Sequence, residues 1–180
     1  MMTKEKQLLQ IENELDIDMA IDYIENNHKK DMNDYIRVLF LLMDFLVNGQ
    51  CTENKHDFVA DKTKKIFLEA NSKYFHNQKY LFYIGFVASM SEWYFDIKWS
   101  EVEFMLKEAV CLEPKNLLYQ WGYNSIIDQR IEVNTKIKYL LSKQILEDKT
   151  LIKNIRKNGL LGKYLEGFIQ NEYELTKVLQ

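Results

Sequence analysis

Asp31-Met32-Asn33-Asp34-Tyr35-Ile36-Arg37-Val38-Leu39-Phe40-Leu41-Leu42-Met43-Asp44-Phe45-Leu46-Val47-Asn48-Gly49 holds the strongest apolar run of the chain. Tyr35, Ile36, Leu39, Phe40, Met43, Leu46 and Val47 recur at the spacings that place side chains on one helix face. Leu41 and Leu42 widen that face, so the stretch reads as a helix buried on most sides. Asp31 or Asn33 is placed to cap its start. Asn48-Gly49 ends it, with Gly49 expected in the left-handed conformation that a glycine adopts without strain. The run Val38–Met43 follows Arg37 and stops at Asp44, far too short to span a bilayer.

The periodicity continues on both sides. Leu8, Leu9, Ile11 and Leu15 predict a first short helix. Met19, Ile21, Tyr23 and Ile24 predict a second, capped by Asp16 or Asp18. Downstream, Phe58, Val59, Ile66, Phe67, Ala70, Tyr74 and Phe75 mark a fourth helix, and the aromatic-rich stretch Tyr80 to Tyr94 a fifth. Ser100 and Glu103 form a capping-box pattern that opens a sixth, stopping before Pro114. Leu117 to Ile127 gives a seventh, and Val133, Ile137, Leu140, Leu141 and Ile145 an eighth. Leu151 to Leu179 is one or two helices broken near Gly159 or Gly162. One proline and six glycines in 180 residues leave little for the tight turns of a β fold. The expected class is all-α, with antiparallel helix pairs stacked as a repeat array or packed as an irregular bundle. Without a linker or a shift in composition, residues 1–180 are expected to form a single helical domain.

Charge is unevenly spread. Residues 1–62 carry a net −6 and residues 63–180 a net +3. The densest acidic stretch is Glu12, Glu14, Asp16, Asp18, Asp22, Glu25, Asp31 and Asp34. Such a bipolar chain can steer a charged partner, and the plainer reading is two solvated helix faces. The N-terminus lacks an apolar segment of signal-peptide length, so cytoplasmic residence is the expectation. Cys51 and Cys111 fall in no metal-binding spacing and are expected to be reduced.

Trp99, Val102, Leu106, Ala109 and Pro114 resemble the second helix of a tetratricopeptide repeat, which places an aromatic, a small residue, a large residue, Ala and Pro at these intervals. Ala70 and Gly85 are fifteen residues apart, as in that family, with Ile84 where Leu is usual. Val102 departs from the usual Ala, and Phe75 stands where Pro is expected. The resemblance covers roughly residues 62–122, with helix starts spaced by about 40 residues. It implies a groove for a peptide, lined by the helices at 77–95 and 116–127. Tyr83, Trp93 and Trp121 are its candidate anchors, since Tyr and Trp favour contact hot spots. Most of the aromatic cluster between Tyr80 and Trp99 is expected to be core.

Glu25-Asn26-Asn27-His28 and Glu53-Asn54-Lys55-His56 have the spacing of di-iron ligands, but both lie in polar segments. Nucleotide-binding, metalloprotease and serine-hydrolase motifs are lacking, so no cofactor or metal is expected. An enzyme assembled from distant residues is a minor alternative. Nucleic acid is not the expected partner of a chain of pI about 5.7. The leading expectation is a non-catalytic binding module. Its most specific form is a bacterial immunity-type protein whose Glu14, Asp18, Asp22 and Glu25 meet a basic toxin domain. The alternative is a tetratricopeptide-like adaptor or chaperone.

Overall fold

The computed structural model describes residues 3–127 and 131–178, and the side chains of residues 131–134 lie outside that description. The expected core role of Val133 and the helix end at Leu179 therefore fall outside the described residues. The chain is all-α: ten helices and one 3₁₀ turn appear among the described residues, with no strand. They are α1 (Lys4–Glu14), α2 (Ile17–Asn26), α3 (Met32–Asn48), α4 (Glu53–Tyr74), α5 (Gln78–Ala88), the 3₁₀ turn Glu92–Phe95, α6 (Trp99–Leu112), α7 (Leu117–Ile126), α8 (Ile131–Glu147), α9 (Lys149–Arg156) and α10 (Gly159–Lys177). No described helix is long and apolar enough to cross a membrane.

Local chemistry sets the helix starts. The Asp16 side chain accepts from the Met19 amide at 2.9 Å. Asp31 accepts from the Asn33 and Asp34 amides, while the Asp34 carboxylate accepts from the Asp31 amide at 2.7 Å, a reciprocal capping box. Asn77, Asn116 and Asp148 cap α5, α7 and α9 in the same manner. Between α1 and α2 the chain turns at Leu15, which adopts a left-handed conformation with φ 52°.

Three sequence expectations are corrected. Gly49 is extended (φ −75°), not left-handed. What requires a glycine there is crowding, because a Cβ would stand 2.4 Å from the Phe45 carbonyl oxygen. The helix expected from Tyr80 to Tyr94 ends at Ala88. Ser89 and Ser91 turn their hydroxyls onto the Phe86 and Met90 carbonyls (2.7 and 2.5 Å), competing with helical bonding. α6 opens at Trp99, ahead of the expected Ser100 cap, and the Glu101 carboxylate accepts from the Lys98 amide at 2.9 Å.

α3 is the hub, packing against α2, α4, α5 and α10. Consecutive helices pair as α3 with α4, α5 with α6 and α7 with α8, while α5 also touches both α3 and α7. α10 pairs with α8 and α9 and then returns to α3 and α1. Its Tyr164 meets Phe40 of α3 (5.4 Å) and Phe86 of α5 (6.3 Å). Its Phe168 meets Phe86 (6.1 Å) and Trp121 of α7 (5.7 Å). One aromatic from each of α3, α5 and α7 is thus covered by the C-terminal helix.

A buried clasp between α1 and α3 lies where α10 returns. The Arg37 guanidinium, 2% exposed, donates to both carboxylate oxygens of Glu12, 3% exposed, at 2.7 and 2.6 Å. It also donates to Glu5 at 2.6 Å. Burial disfavours the Arg37 cation, but Glu12 and Glu5 outweigh that and hold its pKa above the ordinary arginine value. The first residue of α10, Gly159, has φ +60°, and a Cβ on it would lie 2.1 Å from a Glu12 oxygen. Only glycine allows this left-handed turn and this approach together.

Candidate partner-binding surface

The acidic stretch divides into two populations. Glu12 and Asp34 are buried, and Asp16 and Asp31 are helix caps. Reading the whole stretch as a solvated face is therefore corrected. Glu12 belongs to the Arg37 clasp. Asp34 accepts from the Tyr23 hydroxyl at 3.0 Å and pairs with Lys4 at 2.6 Å. Burial, and then the Asp34 charge, push the Tyr23 phenol well above its ordinary pKa. Glu14, Asp18, Asp22 and Glu25 remain at the surface.

Asp18, Asp22 and Glu25 follow helical spacing, so they share one face of α2. Two of them are engaged across to α4: Lys55 pairs with Asp18, and Lys62 pairs with Glu25. The seven-residue interval is the same on both helices, and so the rungs stay in register. Between the lysines stands Phe58, 45% exposed, with ammonium groups 5.5 and 5.6 Å from its ring centre. Asp22, the middle acid, makes no hydrogen bond or ion pair among the described residues, and Glu14 accepts only from Gln10, at 2.8 Å. On the other side, a cleft between α1 and α2 is lined by Lys4, Gln7, Met19, Asp22, Tyr23 and Asn26. Met19 is an exposed large apolar side chain at this edge; Leu15, also exposed, lines a separate cleft with Ile17, Leu41 and Phe45. The face therefore combines exposed apolar groups with a partly neutralised acidic row.

The aromatic candidates fare differently. Tyr83 is buried, and its hydroxyl accepts from Asn158 at 2.8 Å. Burial raises its pKa well above the tyrosine norm. Trp121 is 0% exposed, packed on Phe86 and Phe168. Neither lines a groove, because α5 and α7 turn these side chains inward, under α9 and α10. Trp93 is 60% exposed on the 3₁₀ turn, against Tyr94. Its neighbour Tyr94 meets His56 through its hydroxyl at 2.9 Å, one residue along α4 from the Lys55 that pairs with Asp18.

His28 is exposed, and Glu25 is held by Lys62. Among the described residues no group of three His, Cys, Asp or Glu side chains is placed to hold a metal ion. Both cysteines are free and exposed. What sequence reading missed is the basic half of the surface, Lys55 and Lys62 with Phe58 between them. Its only signal was the shared seven-residue interval. No protein-family model, no curated protein and no solved structure matches the chain.

Proposed function

We propose that this protein is a non-catalytic binding module whose contact surface is the α2 edge, in its most specific form an immunity-type protein that neutralises a basic toxin domain. The observation that carries the reading is the exposed row Asp18, Asp22 and Glu25 beside Met19 and Phe58. Such a surface joins apolar contact area to charges that steer a basic partner and fix its register. Asp22 and Glu14 are available to a partner as they stand. Asp18 and Glu25 exchange a half-buried lysine for a partner's arginine or lysine at small cost, because ion pairs whose acid faces water contribute little.

The adaptor alternative draws on the helix pairs α3/α4, α5/α6 and α7/α8. Its groove anchors Tyr83 and Trp121 are interior, which favours the α2 edge.

The test is capture of partners from the native cell lysate with the wild type and with a D18N/D22N/E25Q variant, at low and high salt. A single basic partner, lost at high salt and lost by the variant, is the expected result. Equal capture by both proteins at both salt concentrations rejects the surface.

A further inference from the structure

α2 and α9 carry one pattern with opposite charge. Asp18-Met19-Ala20-Ile21-Asp22-Tyr23-Ile24-Glu25 and Lys149-Thr150-Leu151-Ile152-Lys153-Asn154-Ile155-Arg156 both place isoleucine at the fourth and seventh positions and a charge at the first, fifth and eighth. All four isoleucines are buried, and all six charged residues are exposed. The two charge rows therefore stand at the same angle to the apolar face of their helices. At a rise of about 1.5 Å per residue each row spans about 10 Å.

Lys149, Lys153 and Arg156 line one cleft of about 480 Å³ with Leu146, Ile152 and, on α10, Glu166. The acids nearby do not cancel them. Arg156 donates to Glu166 through Nε and Nη2, both at 2.6 Å, which leaves its Nη1. Asp148 accepts from the Thr150 and Leu151 amides as the cap of α9. Residues 143–166 hold six basic and three acidic side chains, a net of +3. α2 and residues 53–62 of α4 together hold six acidic and two basic side chains, a net of −4 with His56 neutral. The middle members of the two rows are both free: the Asp22 and Lys153 side chains make no hydrogen bond or ion pair among the described residues, and neither does Lys149.

We infer that α9 of one copy of this chain docks on α2 of a second copy, Lys153 against Asp22, with Lys149 beside Asp18 and Arg156 beside Glu25. The occupant follows from the complementarity: equal intervals, opposite charge, and a central acid and a central base that both lack a partner. The outer contacts do not displace Lys55 or Lys62, because a carboxylate accepts more than one donor. The two surfaces differ, so the contact is heterologous and either closes into a ring or continues as a chain. Built on exposed charges, it is weak and sensitive to salt. It shares the α2 row with the proposed binding surface but does not rest on an outside partner, and α9 has no part in that reading.

The experiment is sedimentation velocity of the full chain over a range of concentrations, at low and high salt, for the wild type, D22K, K153E and D22K/K153E. At low salt the wild type is expected to form species larger than the monomer, in a share that rises with concentration, and at high salt to be monomeric. Each single variant sets like charges against one another and is expected to weaken the association about tenfold or more. The double variant restores opposite charges and is expected to recover it, which also excludes misfolding as the cause of the loss. A wild type that stays monomeric at every concentration in low salt overturns the inference. Association unchanged in K153E, or not recovered in the double variant, overturns it as well. K153E leaves α2 intact, so it is expected to lose self-association and still capture a basic partner from the lysate. Failure of capture by every protein, with self-association behaving as expected, would reject the outside partner and leave this contact standing.

Discussion

The Arg37 clasp and the α2 rungs use the same chemical groups in opposite settings. Arg37 and Glu12 are almost wholly buried and meet through two hydrogen bonds, whereas Asp18 and Glu25 face water and each meets a single lysine. A buried charge that loses its partner has no water to turn to, and an exposed one does. The clasp therefore ties α1 to α3 beside the first residue of α10, while the acids of the rungs stay open to water. One chain of acidic residues, read as uniform in sequence, serves structure at Glu12 and is open to recognition at Asp22.

The sharpest way to break this contrast is at the clasp. R37M leaves Glu12 buried beside Gly159 without its partner and is expected to cost about 3–5 kcal/mol. E12L is expected to cost a comparable amount. The double variant R37M/E12L replaces the pair with apolar groups and is expected to recover most of the loss. Urea unfolding of the four proteins forms the cycle. Additive losses would show that the two residues do not act as a pair.

A smaller effect is expected at Gly159, where G159A puts a methyl group against Glu12 in a left-handed residue. The backbone term alone is about 1–2 kcal/mol, and crowding of Glu12 brings the expected loss to at least about 2 kcal/mol. G167A is the control, since nothing lies within 4 Å of a Cβ there. It is expected to be neutral or slightly stabilising in the thermal melt. Equal losses in the two variants would deny the close approach of α10 to Glu12.

Between the two extremes lies Glu69, partly exposed on α4. Burial works against its ionised form, but hydrogen bonds from Lys73, Tyr35 and Lys30 outweigh it and hold the carboxyl at about 2. A carboxyl whose pKa is lowered by folding stabilises the fold above its unfolded value, ordinarily 4.5. That contribution is lost as pH falls through the folded value. Solvent screening limits it to about 1 kcal/mol. The wild type should therefore lose more stability than E69Q between about pH 4.5 and pH 2. Parallel stability curves for the two proteins would show that the cluster contributes nothing.

The elements of the fold were legible where the cause is local. The stripe from Tyr35 to Val47 predicts α3, and Asp16 and Asp31 mark two starts, because caps and helix faces involve residues three or four apart. Non-local causes were hidden. Glu12 is buried because Arg37 lies opposite, and Lys55 meets Asp18 across 37 residues of chain. Tyr83 and Trp93 look equally suited to a groove in sequence. They separate only because α5 ends at Ala88, leaving one inside a helix pair and the other on an exposed turn. The acidic candidates were legible as a group, but which of them remain at the surface was decided by tertiary partners.

The α2 rungs carry the smallest expected effect on stability, and that smallness is what makes them informative. D18N and E25Q are each expected to change the unfolding free energy by less than about 0.5–1 kcal/mol, as exposed pairs do. Raising the salt should erase even that difference. The released Lys55 and Lys62 keep partial access to water and their contact with Phe58. A loss as large as that of R37M would mean that α2 is held to α4 by these rungs. The α2 edge would then be part of the scaffold, and a partner could not take over Asp18 and Glu25 without unfolding it. A negligible loss leaves the row energetically free to exchange its lysines for a partner's cations, which is the property that binding at this surface requires.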